Sequence, residues 1–146
     1  MSFVKLYDEG LVNAIGVSNF TLPHLRELLK QCPGTTPAVN QSLWSPYYHQ
    51  NKMLMYCKQN DIVLQAYSSL GGNCCELLND PVIKKIALSH GVSSAQVLLN
   101  WTLQQDIAVI PKSKQPKHIK ENITLNFELC EAEMKALNHL EEGKGI

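Results

Sequence analysis

The sequence predicts an α/β fold, because short apolar runs alternate along it with segments of helical periodicity. Four apolar runs bounded by turn residues are typical of buried strands. The segments between them repeat apolar residues three and four positions apart, as amphipathic helices do. Strands that alternate with helices pair in parallel through right-handed crossovers. We therefore expect a parallel sheet with helices packed against it.

The predicted strands are runs of β-branched and other apolar residues, and they lie at Ala14–Val17, Pro37–Asn40, Ile62–Tyr67 and Ile107–Ile110. The predicted helices share apolar residues on one face, and they lie at Leu22–Leu29, Met53–Lys58, Asp80–His90, Ser93–Gln105, Pro116–Leu125 and Cys130–Leu140. Thr21 is a residue type that caps helix N-termini. Pro81 and Gly91 are placed to begin and end the third helix.

A chain of 146 residues can bury one core but is too short for two ordinary domains. Its glycines and prolines mark turns and form no linker. We therefore expect residues 1–146 to form a single partial domain.

The charge balance excludes several classes of partner. Lysine plus arginine equal aspartate plus glutamate at 13 each, so no overall field favours nucleic acid or an anionic membrane.

No apolar run approaches the roughly 20 residues of a membrane span, and the N-terminus does not resemble a secretory signal. We expect a cytoplasmic protein that binds a small molecule or a small neutral protein.

Cysteines and histidines show no metal-site spacing. The five cysteines are odd in number and form no C-x-x-C pair, which indicates reduced thiols. Adjacent Cys74 and Cys75 could form a redox pair only with a strained backbone. The scattered histidines are interpreted as surface or packing residues, namely His24, His49, His90 and His139.

Polar residues occur where each predicted strand ends. The pairs are Ser18 and Asn19, Asn40 and Gln41, Tyr67 and Ser68, and Lys112 and Ser113. A single strand-end Asn or Ser is more often a turn or cap residue. Four successive pairs favour a ligand-binding face, because the carboxyl ends of parallel strands converge there.

The chemistry of these residues suits a nicotinamide nucleotide. Asn19 and Gln41 offer donors and acceptors for a carboxamide, Tyr67 offers a flat face for stacking, and Lys112 with Ser113 offers a phosphate partner. The G-x-G-x-x-G fingerprint is absent, so a Rossmann arrangement is not supported.

Two further features have alternative interpretations. The basic run from Lys112 to Lys120 is either a solvated helix face or a phosphate clamp, and its position at a helix N-terminus favours the clamp. Trp44 and the pair Tyr47-Tyr48 could line a substrate pocket or could serve as packing residues.

The strand ends resemble the motifs of the aldo-keto reductase family over nearly the whole chain. Residues 10–20 (GLVNAIGVSNF) are similar to its strand-five motif, and IPKS at 110–113 with IKEN at 119–122 is similar to its strand-eight motif. PAVNQ at 37–41 and AYSSLG at 66–71 fit strands six and seven. The resemblance implies the C-terminal half of an eight-stranded β/α barrel that reduces carbonyl compounds with NADPH.

The resemblance also implies roles for individual residues. Ser18, Asn19 and Gln41 would hold the nicotinamide carboxamide, and Tyr67 would stack on its ring. Ser68, Ser69 and Leu70 would follow the pyrophosphate. The adenosine end would be bound by the residues around the last strand, namely Lys112, Ser113, Lys114, His118, Glu121 and Asn122.

The chain departs from the family pattern at several positions. His118 occupies a position where the family usually has arginine, so NADH is not excluded as a cofactor. Leu43 and Ser45 replace an acidic residue and a histidine, and Asn13 replaces a basic residue.

The family's proton-donating aspartate, tyrosine, lysine and histidine would lie before Met1, so no catalytic residue is assigned here. The resemblance thus implies half of a reductase that acts on a small carbonyl substrate when an N-terminal half completes it. Four strands cannot close a barrel, so bare edges and self-association are expected. The alternative is a shortened, non-catalytic interaction module that pairs with full-length barrels.

Overall fold

The chain folds into two compact units, which a computed structural model describes over residues 3–72 and 76–140. The first unit takes in the chain through Ser42 together with Gln50–Gln65. The second takes in Leu43–His49 and the chain from Ala66 onward. The prediction of a single partial domain stays a prediction.

The first unit alternates helices and strands. Its elements are α1 (Phe3–Asp8), β1 (Gly16–Ser18), α2 (Leu22–Gln31), β2 (Val39–Leu43), α3 (Asn51–Gln59) and β3 (Val63–Tyr67), of which β2 and β3 end in the second unit. β1 pairs in parallel with β2, with Ser18 opposite Gln41. β3 follows β2 in the sheet order, and the Val63 N–H donates to the Ala38 carbonyl at 2.9 Å.

The core of the first unit lies between its strands and helices. Leu25 of α2, Met53 and Cys57 of α3 and Leu64 of β3 are all buried. Burial raises the pKa of the Cys57 thiol, so this cysteine is a protonated core residue. A Cβ at Gly16 would lie 2.9 Å from the Val39 carbonyl oxygen, so glycine permits the close approach of β1 to β2.

The second unit is mainly helical. Its further elements are α4 (Glu76–Asn79), α5 (Pro81–His90), α6 (Ser94–Leu103), β4 (Ala108–Val109), α7 (Pro116–Ile123) and α8 (Glu131–Asn138), and β4 follows β3 in the sheet order. Every residue of α6 from Gln96 to Thr102 is buried. A helix that is buried on all sides is a central element. The other helices of this unit therefore pack around α6.

Two side-chain amides of α6 and that of its C-cap residue Gln104 hold the connection between α7 and α8. Gln96 and Asn100 donate to the carbonyls of Thr124 and Phe127, each at 2.6 Å. Gln104 donates to the Leu129 carbonyl at 3.1 Å and accepts the Leu129 N–H at 2.8 Å. The three amides are four residues apart, so they share one face of the helix. These side-chain hydrogen bonds hold the main chain of the connection in place, although it forms no strand.

Capping residues set the bounds of α5. The Asp80 carboxylate accepts the Val82 N–H at 2.8 Å, Pro81 is the first helical residue, and Gly91 ends the helix with φ 65°. The predicted roles of Pro81 and Gly91 are confirmed. At the C-terminal end of α5, His90 Nε2 lies 2.9 Å and 3.0 Å from the two carboxylate oxygens of Glu133, the third residue of α8.

The structure corrects the predicted end of the second strand. Asn40 and Gln41 were expected at its end but lie inside β2, which continues to Leu43. The pairing with β1 extends to Gln41, two residues short of the end of β2, so this neighbour accounts for only part of the extension beyond Asn40. Helix α4 was not predicted. None of the helices in the described ranges has the length and hydropathy of a membrane span.

Candidate functional site

The turn after β1 in the first unit holds two of the predicted site residues. Ser18 ends the strand and is exposed. Asn19 follows with φ 57°, in the left-handed region that asparagine tolerates better than most residues. Its N–H donates to the Gln41 carbonyl at 2.8 Å. The main chain of Gln41 thereby fixes the turn that presents Asn19.

Asn40, which was predicted at a strand end but was given no role in cofactor binding, also supports this turn. Its side chain is fully buried. The amide nitrogen donates to the Phe20 carbonyl at 2.9 Å, and the amide oxygen accepts the Phe20 N–H at 3.3 Å. Both hydrogen-bonding groups of one peptide residue are therefore engaged by a single side chain.

The side chain of Gln41 has a defined orientation. Its Nε2 donates to Oε1 of Gln65 on β3 at 2.6 Å. Both side chains are half-buried. Because the oxygen and nitrogen of an amide lie on opposite sides of the group, this bond turns the Gln41 oxygen away from Gln65. No pattern in the sequence indicates a role for Gln65, because it lies inside an apolar strand.

The turn after β3 belongs to the second unit and carries four predicted residues. Tyr67 ends the strand and is half-buried. Ser68 has φ 53°, and its carbonyl accepts the Gly71 N–H at 2.8 Å. Ser69 is buried, with its hydroxyl 3.4 Å from the Ala66 carbonyl. A non-glycine residue held at positive φ is uncommon and often marks a functional turn.

Two cavities of the second unit collect most of its predicted residues. The first, of about 260 Å³, is lined by Leu70, Leu78, Ser93, Ser94, Ala95, Lys112, Ser113, His118, Glu121 and Asn122. The second, of about 460 Å³, is lined by Ser68, Ser69, Leu70, Gly72, Leu78, Ile110, Pro111 and Lys112. Leu70, Leu78 and Lys112 line both, so the cavities adjoin.

The electrostatics of the first cavity favour an anion. Lys112 and His118, which carry an ammonium and an imidazole, line this cavity. Helix α7 begins a few residues after Lys112. Its N-terminus carries no acidic residue in its first turn, so its positive end is not neutralised locally. The Ser113 hydroxyl accepts the Gln115 N–H at 3.1 Å, which fixes the approach to the helix.

An acidic residue on the cavity wall is already paired. Glu121 Oε1 lies 3.8 Å from Lys117 Nζ, and the Lys117 side chain is 81% exposed. The pair therefore reduces the negative charge of Glu121 at the cavity without placing Lys117 in its lining.

The structure adds some residues to this site and leaves two out. Tyr67 and the exposed Lys114 line neither cavity, so they are not brought together with the other predicted residues of the second unit. Ser93, Ser94 and Ala95 at the start of α6 line the first cavity but were not predicted to do so. In the sequence, Ser93 and Gln96 indicate only a helix start, and they do form a capping box.

The aromatic residues after β2 serve in packing. Trp44 is fully buried, and the ring of His49 lies 5.8 Å from it and 5.5 Å from the ring of Trp101. The Tyr47 hydroxyl donates to the Asp80 carboxylate at 2.7 Å. The packing interpretation of Trp44 and His49 is thus supported.

No group of three or more metal-binding side chains occurs within the described part of the chain. Cys32, Cys57 and Cys130 are free thiols. Cys74 and Cys75 lie outside the described residues.

Comparison with known proteins identifies the same family over almost the whole chain. The model of the "Aldo/keto reductase family" matches residues 1–142. The 9,11-endoperoxide prostaglandin H2 reductase of Trypanosoma cruzi is 42% identical over 97% of this chain. Glyoxal reductase of Bacillus subtilis is 40% identical over 97% of it.

Solved structures share the fold. MGS-M4, an aldo-keto reductase from a deep-sea metagenome library of the Medee basin, superposes with a TM-score of 0.90 at 37% identity, over 99% of this chain and 53% of its own. A variant of Gox0644 in complex with NADPH gives a TM-score of 0.86 at 35% identity, over 94% and 50% of the two chains.

This chain spans about half the length of the curated relatives that it matches, with 50% of the trypanosomal reductase and 51% of the bacterial one covered.

Proposed function

The chain belongs to the aldo/keto reductase family, and we propose that it is the half of a carbonyl reductase that binds the nicotinamide dinucleotide. The observation that carries this proposal is the first cavity of the second unit. It gathers Lys112, Ser113, His118, Glu121 and Asn122 around a space of about 260 Å³. These residues were selected from the sequence as the binders of the adenosine end of the cofactor.

The adenosine end is assigned to the second unit. Lys112 and Ser113 would bind a 2′-phosphate, since an ammonium, a hydroxyl and a helix N-terminus together favour an anion. Glu121 and Asn122 would face the adenine. Ser68, Ser69 and Leu70 would follow the pyrophosphate, which accords with their place in the lining of the second cavity.

The nicotinamide end is assigned to Ser18, Asn19 and Gln41 of the first unit, whose hydroxyl and amide groups match a carboxamide. Tyr67 would offer its ring face to the nicotinamide. When bound, the cofactor supplies the hydride. The protein's own groups fix the ring by holding its carboxamide.

We propose aldehydes and ketones as the substrates of the complete enzyme. Support comes from a relative named for reducing glyoxal, which is a dialdehyde. Delivery of a proton to the carbonyl oxygen requires a positioned acid. We assign that acid to the complementary half of the barrel, so this chain alone would bind nucleotide without turnover.

NADPH is the proposed cofactor. The NADPH complex of a structural neighbour supports a nicotinamide cofactor in this fold. His118 lines the first cavity in place of the family's usual arginine and lacks the guanidinium's bidentate geometry. We therefore propose only a modest preference for NADPH over NADH.

The test is titration calorimetry of the 146-residue chain with adenosine 2′,5′-bisphosphate. Replacing Lys112 by Met should weaken binding about tenfold, because it removes one charge-assisted contact. Lys84→Met, at an exposed position on α5, removes the same charge away from the cavity and should leave the affinity unchanged. Absence of binding by the unmodified chain, or equal affinities for all three proteins, would refute the proposal.

A second candidate function is pairing with another barrel or with a second copy. A further cavity of about 600 Å³ is lined by Val109 of β4, by Ile110 and Pro111 after it, and by Ile119 and Ile123 of α7. Ile123 is 80% exposed. Contiguous exposed apolar side chains often mark an interaction surface.

A further inference from the structure

Gln65 is a half-buried polar side chain of the first unit that hydrogen-bonds to a proposed cofactor-binding side chain and has no role in the proposed function. It lies two residues before the end of β3. The exposure of β2 and β3 alternates, and Gln41 and Gln65 share the less buried face. This placement makes their side chains cross-strand neighbours.

The hydrogen bond between these side chains decides which end of the Gln41 amide is available. Gln41 Nε2 donates to Gln65 Oε1 at 2.6 Å. The Gln41 oxygen is therefore directed away from Gln65 as an acceptor. If the Gln41 amide alone were reversed and Gln65 kept its orientation, two carbonyl oxygens would face each other at this distance, which is repulsive.

The main chain around Gln41 is already fixed. Its carbonyl accepts the Asn19 N–H at 2.8 Å, and its neighbour Asn40 holds Phe20. The orientation of the Gln41 side-chain amide is therefore not determined by the main chain, and the hydrogen bond to Gln65 fixes it.

We propose that Gln65 is a positioning residue that presents the Gln41 oxygen to the NH2 group of the nicotinamide carboxamide. This inference rests on the proposed function and deepens it. Gln65 acts through Gln41 and makes no contact with the cofactor.

The inference is tested by comparing NADP⁺ with its 3-acetylpyridine analogue, whose acetyl group lacks the NH2 donor. The 146-residue chain should bind NADP⁺ roughly three- to tenfold more tightly than the analogue, which is the range for one neutral hydrogen bond. Gln65→Met and Gln65→Leu remove the acceptor and should bring that ratio close to one. Gln65→Glu keeps an acceptor at the same place and should retain the ratio.

Adenosine 2′,5′-bisphosphate is the control ligand, because it lacks the nicotinamide. Its affinity should be the same for the unmodified chain and for each folded variant. A ratio that stays unchanged in both Gln65→Met and Gln65→Leu, or that is lost in Gln65→Glu, would overturn the inference. A ratio near one in the unmodified chain would overturn it as well. Failure of the unmodified chain to bind the control ligand would instead overturn the proposed function, and this inference with it.

Discussion

Asn40 holds the peptide groups of Phe20 from both sides, with its amide nitrogen 2.9 Å from the Phe20 carbonyl and its amide oxygen 3.3 Å from the Phe20 N–H. The side chain is fully buried on β2, whereas Phe20 lies in the turn after β1. One amide thus joins a strand to the turn of its neighbour.

We expect Asn40→Ala to lower the free energy of unfolding by about 1–3 kcal/mol, because it leaves buried peptide groups without partners. Urea unfolding followed by circular dichroism measures the change. Asn126→Ala, at an exposed position, is the matched control and should change stability by less than about 0.5 kcal/mol. Equal effects of the two substitutions would contradict the proposed role of the Asn40 amide.

The pair His90 and Glu133 predicts a stability effect in the acid range. Burial raises the pKa of Glu133, but hydrogen bonds from His90 and from the Cys130 N–H outweigh it, and the net pKa lies below the ordinary value. The stability contributed by this carboxylate is therefore present above the ordinary glutamate pKa of about 4.3 and is lost as the pH falls through the lowered value.

Glu133→Gln should consequently cost about 1 kcal/mol at neutral pH, and the difference should shrink below about pH 4. Urea unfolding between pH 3 and pH 7 measures it. Glu131→Gln removes a charge from the same turn of α8 and serves as the control. A difference for Glu133→Gln that does not vary with pH would be inconsistent with the lowered pKa.

His118→Arg should strengthen binding of adenosine 2′,5′-bisphosphate about tenfold, because a guanidinium can form paired hydrogen bonds with a phosphate. Binding of adenosine 5′-monophosphate, which lacks the 2′-phosphate, should not change. His139→Arg makes the same replacement at an exposed position after α8. If both arginine variants gain affinity equally, a general charge effect and not the first cavity is responsible.

The apolar cavity beside β4 predicts self-association of the isolated chain. Ile119 and Ile123 are 49% and 80% exposed on α7. Multi-angle light scattering should show oligomers, and the double variant Ile119→Lys, Ile123→Glu should shift the chain towards monomer. Leu88→Glu, at an 84% exposed position on α5, is the control. A cooperative, soluble monomer of the unmodified chain would argue against this surface.

Much of the fold could be predicted because periodicity is a local signal. All four strands and six of the helices lie within a few residues of their predicted positions. The end of β2 at Leu43 could not be predicted, since local sequence does not show how far neighbouring strands pair with it, and the pairing with β1 reaches only Gln41.

The candidate site was predictable where its residues follow strands and not where tertiary packing supplies them. Lys112 and Ser113 could be recognised by their position. Gln65 could not, because its partner Gln41 is 24 residues away along the chain and on another strand. Ser94 and Ala95 line the first cavity because of how α6 packs. A helix-start signal in the sequence does not predict which neighbouring elements the helix will contact.

The connection between α7 and α8 is held chiefly by its carbonyl groups, which accept hydrogen bonds from Gln96, Asn100 and Gln104. Its Leu129 N–H is also bound, by the Gln104 oxygen. Amide hydrogen exchange monitors N–H groups alone, so it should report slow exchange at Leu129 and fast exchange at solvent-accessible amides such as Asn126. Rapid deuterium uptake here would coexist with a well-ordered main chain, and it should not be interpreted as local unfolding.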